Sequence, residues 1–308
     1  MTTTNLATSS QLSWTARIGE PPRHRTRLPP RLSSSTYVIV GMLLALLYLA
    51  PVFYIALRSV LPASADASGI GWNSFATLTL DNYRRIFAPD TGILGYAKNS
   101  FLVGVCTASL VSIVSTLAGY ALSSIRFRFS AAIFLIILGP LVVPYQGLLT
   151  PLSIVLVELH LLDSLAGVVL VLVTLQLPFA VFVMRNTFDG IPVEIEEAAR
   201  IDGAGTLRML WTVMVPLTWP GIVTVWLFGF MAGWNDLLTS LVFLTSDSNF
   251  TLPLALVNIT TSFKIPGVEI VDPGLLTAAA CVATVPVVAL FLALQRFYTV
   301  GLITGSLK

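Results

Sequence analysis

Apolar residues are gathered into six long stretches, residues 37–57, 101–122, 131–157, 165–183, 220–243 and 275–297, each carrying few or no charges. A helix needs about 20 mostly apolar residues to cross the hydrocarbon of a bilayer, so this pattern predicts six transmembrane helices. Prolines fall inside several stretches, at Pro51, Pro140, Pro144, Pro178 and Pro286. Membrane helices tolerate them because neighbouring helices and water satisfy the freed backbone groups. The expected fold class is therefore all-α: a polytopic integral membrane protein with six transmembrane helices.

Between these stretches the chain is polar. Residues 1–35 are rich in Ser, Thr, Pro and Arg without apolar periodicity, so burial cannot offset their ordering entropy. They are expected to form a disordered, Arg-rich cytoplasmic tail, followed by a transmembrane domain over residues 36–308 with its core at about 95–297. Two roles for the tail stay open: attraction to anionic lipid headgroups, or a topology signal alone. The first stretch follows basic residues, and Ala63-Ser64-Ala65 has the look of a cleavage site, but the apolar run is too long for a signal peptide.

Composition supports the membrane assignment. Of 308 residues, 56% are hydrophobic and 10% charged, and the mean hydropathy is +0.87. Soluble domains run nearer half apolar and roughly a quarter charged. The net charge of +2 gives no reason to expect a nucleic-acid partner. Cys106 and Cys281 lie far apart in apolar runs without CxxC spacing and read as small buried residues. His24 and His160 make no metal-site spacing with each other or with cysteine. Arg17, Arg23, Arg25, Arg27 and Arg31 precede the first stretch, and alternate counting of loops puts Arg126, Arg128, Arg185, Arg200 and Arg208 on the same side. Arg and Lys in short loops resist translocation, so both termini are expected in the cytoplasm.

The longest segment between spans on that side, residues 186–219, is not loop-like and reads as two short helices. Pro192 suits a first helical turn. Glu194, Glu196 and Glu197 then lie near the positive end of the helix dipole and Arg200 near its negative end. Gly203 stands where a left-handed residue closes a helix. Thr206 is placed to cap a second helix through Leu207, Leu210, Trp211 and Met214, with Pro216 ending or kinking it. Two dispositions are open: a knob that receives another protein, or an amphipathic hairpin lying on the membrane surface.

The spacing Glu197-Ala198-Ala199, three residues, Gly203, nine residues, Val213-Met214-Val215-Pro216 resembles the EAA loop of ABC importer permeases. That pattern commonly has Ile and Leu where Val213 and Val215 stand, which are conservative departures. Leu80-Asp81-Asn82-Tyr83, Ala232-Gly233-Trp234-Asn235-Asp236, Thr251-Leu252-Pro253 and the ending Gln295-Arg296-Phe297 with Gly301-Leu302 and Gly305-Ser306 are similar to the maltose-type carbohydrate-uptake family, on its maltose G-like side. The likeness runs from about the first stretch to the C-terminus.

The resemblance implies a type I ABC importer permease fold and a bacterial inner-membrane location. Its implied partners are a second homologous permease, two cytoplasmic ATPase subunits and an extracytoplasmic solute-binding protein. It makes Glu197, Ala198, Ala199, Asp202, Gly203 and Pro216 the ATPase-coupling residues. No lysine follows a glycine as a phosphate-binding loop requires, so ATP and Mg are expected on the partner ATPase, with no cofactor and no catalysis in this chain.

Polar groups inside the apolar stretches are candidates for the pathway or its gate. Asn235 and Asp236 lie in the fifth stretch, and Gln146 and Gln176 lie near prolines in the third and fourth. An interfacial, hydrated Asp236 and glutamines that serve as interhelical glue are the competing readings. Ser115, Gly119 and Ser123 repeat every fourth residue and predict close helix packing. A secondary transporter or channel would explain six spans equally well but gives no reason for the hairpin.

Overall fold

The computed structural model describes residues 34–62, 77–88, 92–125, 128–262, 264–265, 268–269 and 273–305. Residues 1–33, which carry most of the expected tail, lie outside them. The chain divides into one unit ending at Pro51 and another beginning at Val52. The first holds the larger part of helix α1 (Ser34–Ser59), and none of its described side chains is buried.

The second unit is built around α3 (Ile93–Ser124), α6 (Leu165–Asp189) and α10 (Trp219–Trp234), which pack against one another. Ser164 starts α6 by accepting the Gly167 N–H at 3.1 Å while its own hydroxyl donates to the Leu161 carbonyl at 2.7 Å. A cap of this kind stabilises a helix by about 1 kcal/mol. Pro178 does not end α6, which continues past the expected boundary to Asp189. It cannot supply the N–H that the Thr174 carbonyl would receive in an unbroken helix.

Glycine sets the distance between these helices. A Cβ on Gly119 would lie 2.8 Å from Met184 Cβ and 2.9 Å from Arg185 N, so the small-residue face read from Ser115, Gly119 and Ser123 is where α3 meets α6. A second such face joins α3 to α10. A Cβ on Gly229 would come within 2.8 Å of Ala108 Cα, and one on Gly233 within 2.7 Å of Gly104 Cα. Along α10 the rings of Trp226, Phe230 and Trp234 stack at centroid distances of 5.6 and 5.9 Å. The Trp234 indole donates to the Ala283 carbonyl of α13 (Pro273–Gly305) at 3.1 Å.

Two of the six predicted spans are not continuous helices. The third breaks into α4 (Ser130–Leu138), two single 3-10 turns at Gly139–Val142 and Tyr145–Leu148, and α5 (Leu149–Glu158), bent by 95° overall. Pro140, Pro144 and Gly147 weaken helical hydrogen bonding over one short segment, and the chain turns there. The fifth ends at Trp234, and α11 (Leu238–Phe243) is a separate helix. Among the described residues, four helices are long and apolar enough to cross a membrane, or up to six if each bent pair is one span. The described residues also hold helices α2 (Asp81–Ile86) and α12 (Leu252–Ser262), a 3-10 turn at Asp247–Asn249 and a two-residue antiparallel pair, β1 (Lys264–Ile265) with β2 (Val268–Glu269).

The cysteines differ from expectation: Cys106 is exposed and Cys281 half-buried. Apolarity signals burial only where the alternative surroundings are water.

At the α5–α6 turn, Asp163 takes the left-handed conformation, φ 54°, and ties down the segment after α11. Its carboxylate accepts the Thr245 and Ser246 N–H groups at 2.9 and 3.0 Å and the Ser246 hydroxyl. Its carbonyl accepts Asn249 Nδ2 at 2.7 Å. The same segment is held to α3 by Tyr96, which donates to Asp247, and by Asn99, which donates to the Ser248 and Phe250 carbonyls at 2.9 Å. The Ser246 hydroxyl, then the two backbone N–H groups, hold the Asp163 carboxyl well below the usual carboxylate range.

Gly233→Val puts side-chain atoms into the backbone of α3 and should destabilise the protein by about 1–3 kcal/mol or more. Gly95→Ala, where nothing lies within 4 Å, should be neutral or stabilising; thermal unfolding of detergent-purified protein checks both. A carboxyl whose folded-state pKa is depressed contributes stability above its unfolded value, about 3.9, and loses it as pH falls through the folded one. Amide exchange at Thr245 and Ser246, corrected for its intrinsic rate, should thus show protection that is constant through the neutral range. Asp163→Asn should accelerate it locally, leaving the middle of α3 unchanged.

Candidate functional site

A cavity of about 850 Å3 opens between the broken α4–α5 segment, α6 and the α10–α11 junction. Gln146, Gln176, Asn235 and Asp236, distant in sequence, all line it. Gln146 lies in the 3-10 turn Tyr145–Leu148 and is exposed; Gln176 is half-buried on α6, two residues ahead of Pro178. Asn235 closes α10, where its side-chain amide donates to the Met231 carbonyl at 3.0 Å.

Asp236 is buried, 8% exposed. It accepts the Thr239 N–H at 3.3 Å, the Ser240 N–H at 2.8 Å and the Ser240 hydroxyl at 2.9 Å. It thus serves the first N–H groups of α11, which have no partners within that helix. Thr239 lines the cavity too; its side chain is fully buried, and its Oγ1 has no hydrogen-bond partner.

The hairpin follows the C-terminal end of α6. Its first helix, α7 (Val193–Ile201), has Pro192 at the N-cap, one position ahead of the expected first turn. Glu196 pairs with Arg200 at 2.7 Å, one helical turn on. Closure is as expected: Gly203 adopts φ 80°, its N–H donates to the Arg200 carbonyl, and the Ala204 N–H donates to the Ala199 carbonyl, both at 3.0 Å. These two bonds form the Schellman motif, which needs a left-handed residue between them. Asp202 is the C-cap.

The second helix departs more from expectation. Gly205, not Thr206, stands at the N-cap of α8 (Thr206–Met209). A π-helical turn, Leu210–Met214, and a short α9 (Val215–Leu217) containing Pro216 follow. The chain then bends by 79° into α10 at Thr218. The Thr218 side chain is buried, and its hydroxyl and backbone N–H both donate to the Met214 carbonyl at 2.9 Å.

One face of the hairpin is inserted into the core. Met209, Leu210 and Met214 are each 2% exposed and cluster with Tyr120 of α3 and Phe188 of α6. The opposite face leaves Ile201, Leu207 and Trp211 exposed, Ile201 at 87%. Among the coupling candidates, Glu197 and Ala198 are exposed and Ala199 is half-buried against the core. A cleft of about 620 Å3 separates the hairpin from the end of α3 and is lined by Tyr120, Ser123, Glu196, Glu197 and Arg200 among others. Ser123 donates to Asp189 at 2.6 Å; Asp189 lies 3.6 Å from Arg185, and the Arg185 guanidinium sits 4.1 Å over the Phe134 ring. The ends of α3, α4 and α6 beneath the hairpin are thereby joined.

Sequence reasoning missed Thr239 and the Gly229–Gly233 face that positions Asn235 and Asp236. The second had a signal, two glycines four apart in an apolar run. The first had none, because an unpartnered hydroxyl is visible only in three dimensions.

Membrane-crossing helices, a cavity at broken helices and a hairpin anchored to the same helices define a membrane transport subunit. Residues 112–300 match the family described as binding-protein-dependent transport system inner membrane component. The chain belongs to that family, the permeases of ABC importers. It is 32% identical over 261 residues to the trehalose transport system permease protein SugB of Mycobacterium tuberculosis, covering 84% of this chain and 92% of that one. It is 30% identical over 270 residues to the arabinooligosaccharides transport system permease protein AraQ of Bacillus subtilis, covering 87% and 93%. Its fold matches a chain of a bacterial ABC transporter involved in the import of the acidic polysaccharide alginate, with TM-score 0.75, 24% identity and coverage of 88% and 100%.

Asp236→Ala removes the acceptor for the start of α11 and should destabilise the protein by about 0.5–2 kcal/mol. Asp236→Asn should recover part of this, because the amide oxygen still accepts; thermal unfolding of the two variants checks the order.

Proposed function

We infer that this chain is the permease subunit of an ATP-driven importer for a carbohydrate, supplying half of the translocation pathway and coupling to a cytoplasmic ATPase through its hairpin. The observation that carries the coupling role is the division of the hairpin: Met209, Leu210 and Met214 anchor one face in the core, while Ile201, Leu207 and Trp211 expose the other. A large apolar surface left outward on a rigid element suits a protein partner. Glu197, Ala198, Asp202 and Gly203 stand on the first helix and its closure, where a docking ATPase would meet them. Pro216 stands at the root, beside the π-turn and the bend, where a push on the hairpin becomes rotation of α10.

In this reading Gln146, Gln176, Asn235 and Asp236 mark the pathway. Both termini face the cytoplasm, and a second permease completes the cavity. Two ATPase subunits bind ATP and Mg and perform the hydrolysis, and an extracytoplasmic binding protein delivers the solute. The carbohydrate assignment rests on relatives whose names include trehalose and arabinooligosaccharides.

Labelled-sugar uptake by the native strain with and without this gene tests the assignment. Loss on a particular carbohydrate is expected, and undiminished uptake of every carbohydrate would refute it. For coupling, Glu197→Lys should abolish co-purification with the ATPase while the chain still reaches the membrane in normal amount. Unchanged co-purification would remove Glu197 from the coupling role.

A further inference from the structure

Relatives of this chain handle different solutes, and the solved transporter of the same fold is involved in import of an acidic polysaccharide, so membership of the family leaves the charge of the solute open. The cavity itself narrows it. We propose that the cavity favours uncharged, polyhydroxylated solutes and disfavours anionic ones, with Asp236 as the group that sets its electrostatic sign. The proposal rests on the carbohydrate reading above.

Three observations carry it. First, the groups converging on the cavity from separate elements are neutral and able to hydrogen-bond: the amides of Gln146, Gln176 and Asn235 and the phenol of Tyr145. Amides both donate and accept, which matches a hydroxyl group, whereas an anion calls for donors alone. Second, one polar side chain at the cavity wall is not satisfied within the chain: Thr239 Oγ1 is buried there without a hydrogen-bond partner. Irregular backbone at membrane depth persists where it lines a polar cavity, and the 3-10 turns flanking Val143 and Pro144 lie along this one.

Third, Asp236 is the charged residue among the described residues that line the cavity. Both of its carboxylate oxygens are engaged with α11, so it is fixed in position rather than free to swing toward a solute. Its charge still projects a negative potential into a space with low-dielectric walls, where such fields are focused. A neutral sugar is indifferent to that potential, and a carboxylated, sulfonated or phosphorylated one is opposed by it.

The field can be read directly in native membranes holding the complete importer, with Cys106 and Cys281 replaced by serine and a reporter cysteine introduced as Gln146→Cys or Gln176→Cys. Modification by a cationic and an anionic methanethiosulfonate of similar size is timed, each normalised to its rate with a free thiol. The cationic reagent should react on the order of fivefold faster at both positions. Adding Asp236→Asn should bring the ratio close to one, and Asp236→Glu should keep it. Equal rates, a faster anionic reagent, or no reaction at either cysteine would overturn the proposal. Uptake gives the second arm: gene-dependent uptake of a neutral glycan, with none of a uronate or sulfonated glycoside, is expected. Gene-dependent uptake of an anionic glycan would overturn this proposal while leaving the carbohydrate reading intact. Uptake of no glycan at all would remove both.

Discussion

A backbone carbonyl or N–H placed in hydrocarbon without a partner costs several kcal/mol, and much of this architecture follows from that cost. It makes α3, α6 and α10 helical with little help from amphipathicity, since their outward faces are as apolar as their inward ones. It also dictates where they stop being helical. The prolines and glycine around Gly139–Leu148 release backbone groups, and the chain tolerates this at the wall of the 850 Å3 cavity. At Thr218, away from that cavity, the backbone N–H keeps its helical bond to the Met214 carbonyl and the buried hydroxyl adds a second one. One break thus opens onto a cavity, while at the other the last turn before the bend stays bonded within the chain.

Because lipid and core are equally apolar, shape decides which faces meet. Gly104 and Ala108 on α3 meet Gly233 and Gly229 on α10, and Gly119 meets the backbone of α6. Close approach replaces the hydrophobic effect as the source of specificity, and dispersion between backbones replaces desolvation. Polar fasteners then lock the two ends of the bundle. Asp163 and Asn99 hold the segment after α11 at one end, and Ser123 with Asp189 joins α3 to α6 at the other. The cavity lies between these fastened ends, and the hairpin grows from the second.

The fold class was legible from apolar run length, which is an intrinsic property of each segment. The closure of α7 was equally legible, because a Schellman motif is local and Gly203 is the residue its geometry demands. The breaks in the third and fifth stretches were not. In the third, proline is compatible with both a kinked and a broken membrane helix, and Pro178 leaves α6 continuous; in the fifth, no proline marks the break between Trp234 and Leu238. Exposure of Cys106 was misread because apolar neighbours in sequence do not reveal which side faces lipid. Gln146, Gln176, Asn235 and Asp236 meet at one cavity only through the packing of separate elements, and the partners of the last two, the Met231 carbonyl and Ser240, emerged only in the structure.

The π-turn at Leu210–Met214 gives the hairpin a property that its contacts alone do not reveal. A π-turn holds one residue more than the α-helical turn it replaces, so it acts as a spacer of one count between the root at Pro216 and the outward side chains. Each residue of an α-helix advances the face by roughly 100°. Had this segment been one residue shorter and wound as ordinary α-helix, Trp211 and Leu207 would be turned by about a quarter of the circumference relative to α10. The direction in which the hairpin presents itself is therefore fixed by arithmetic along the chain as much as by any interaction, and lengthening or shortening this one turn re-aims the whole projection without altering a single side chain on it.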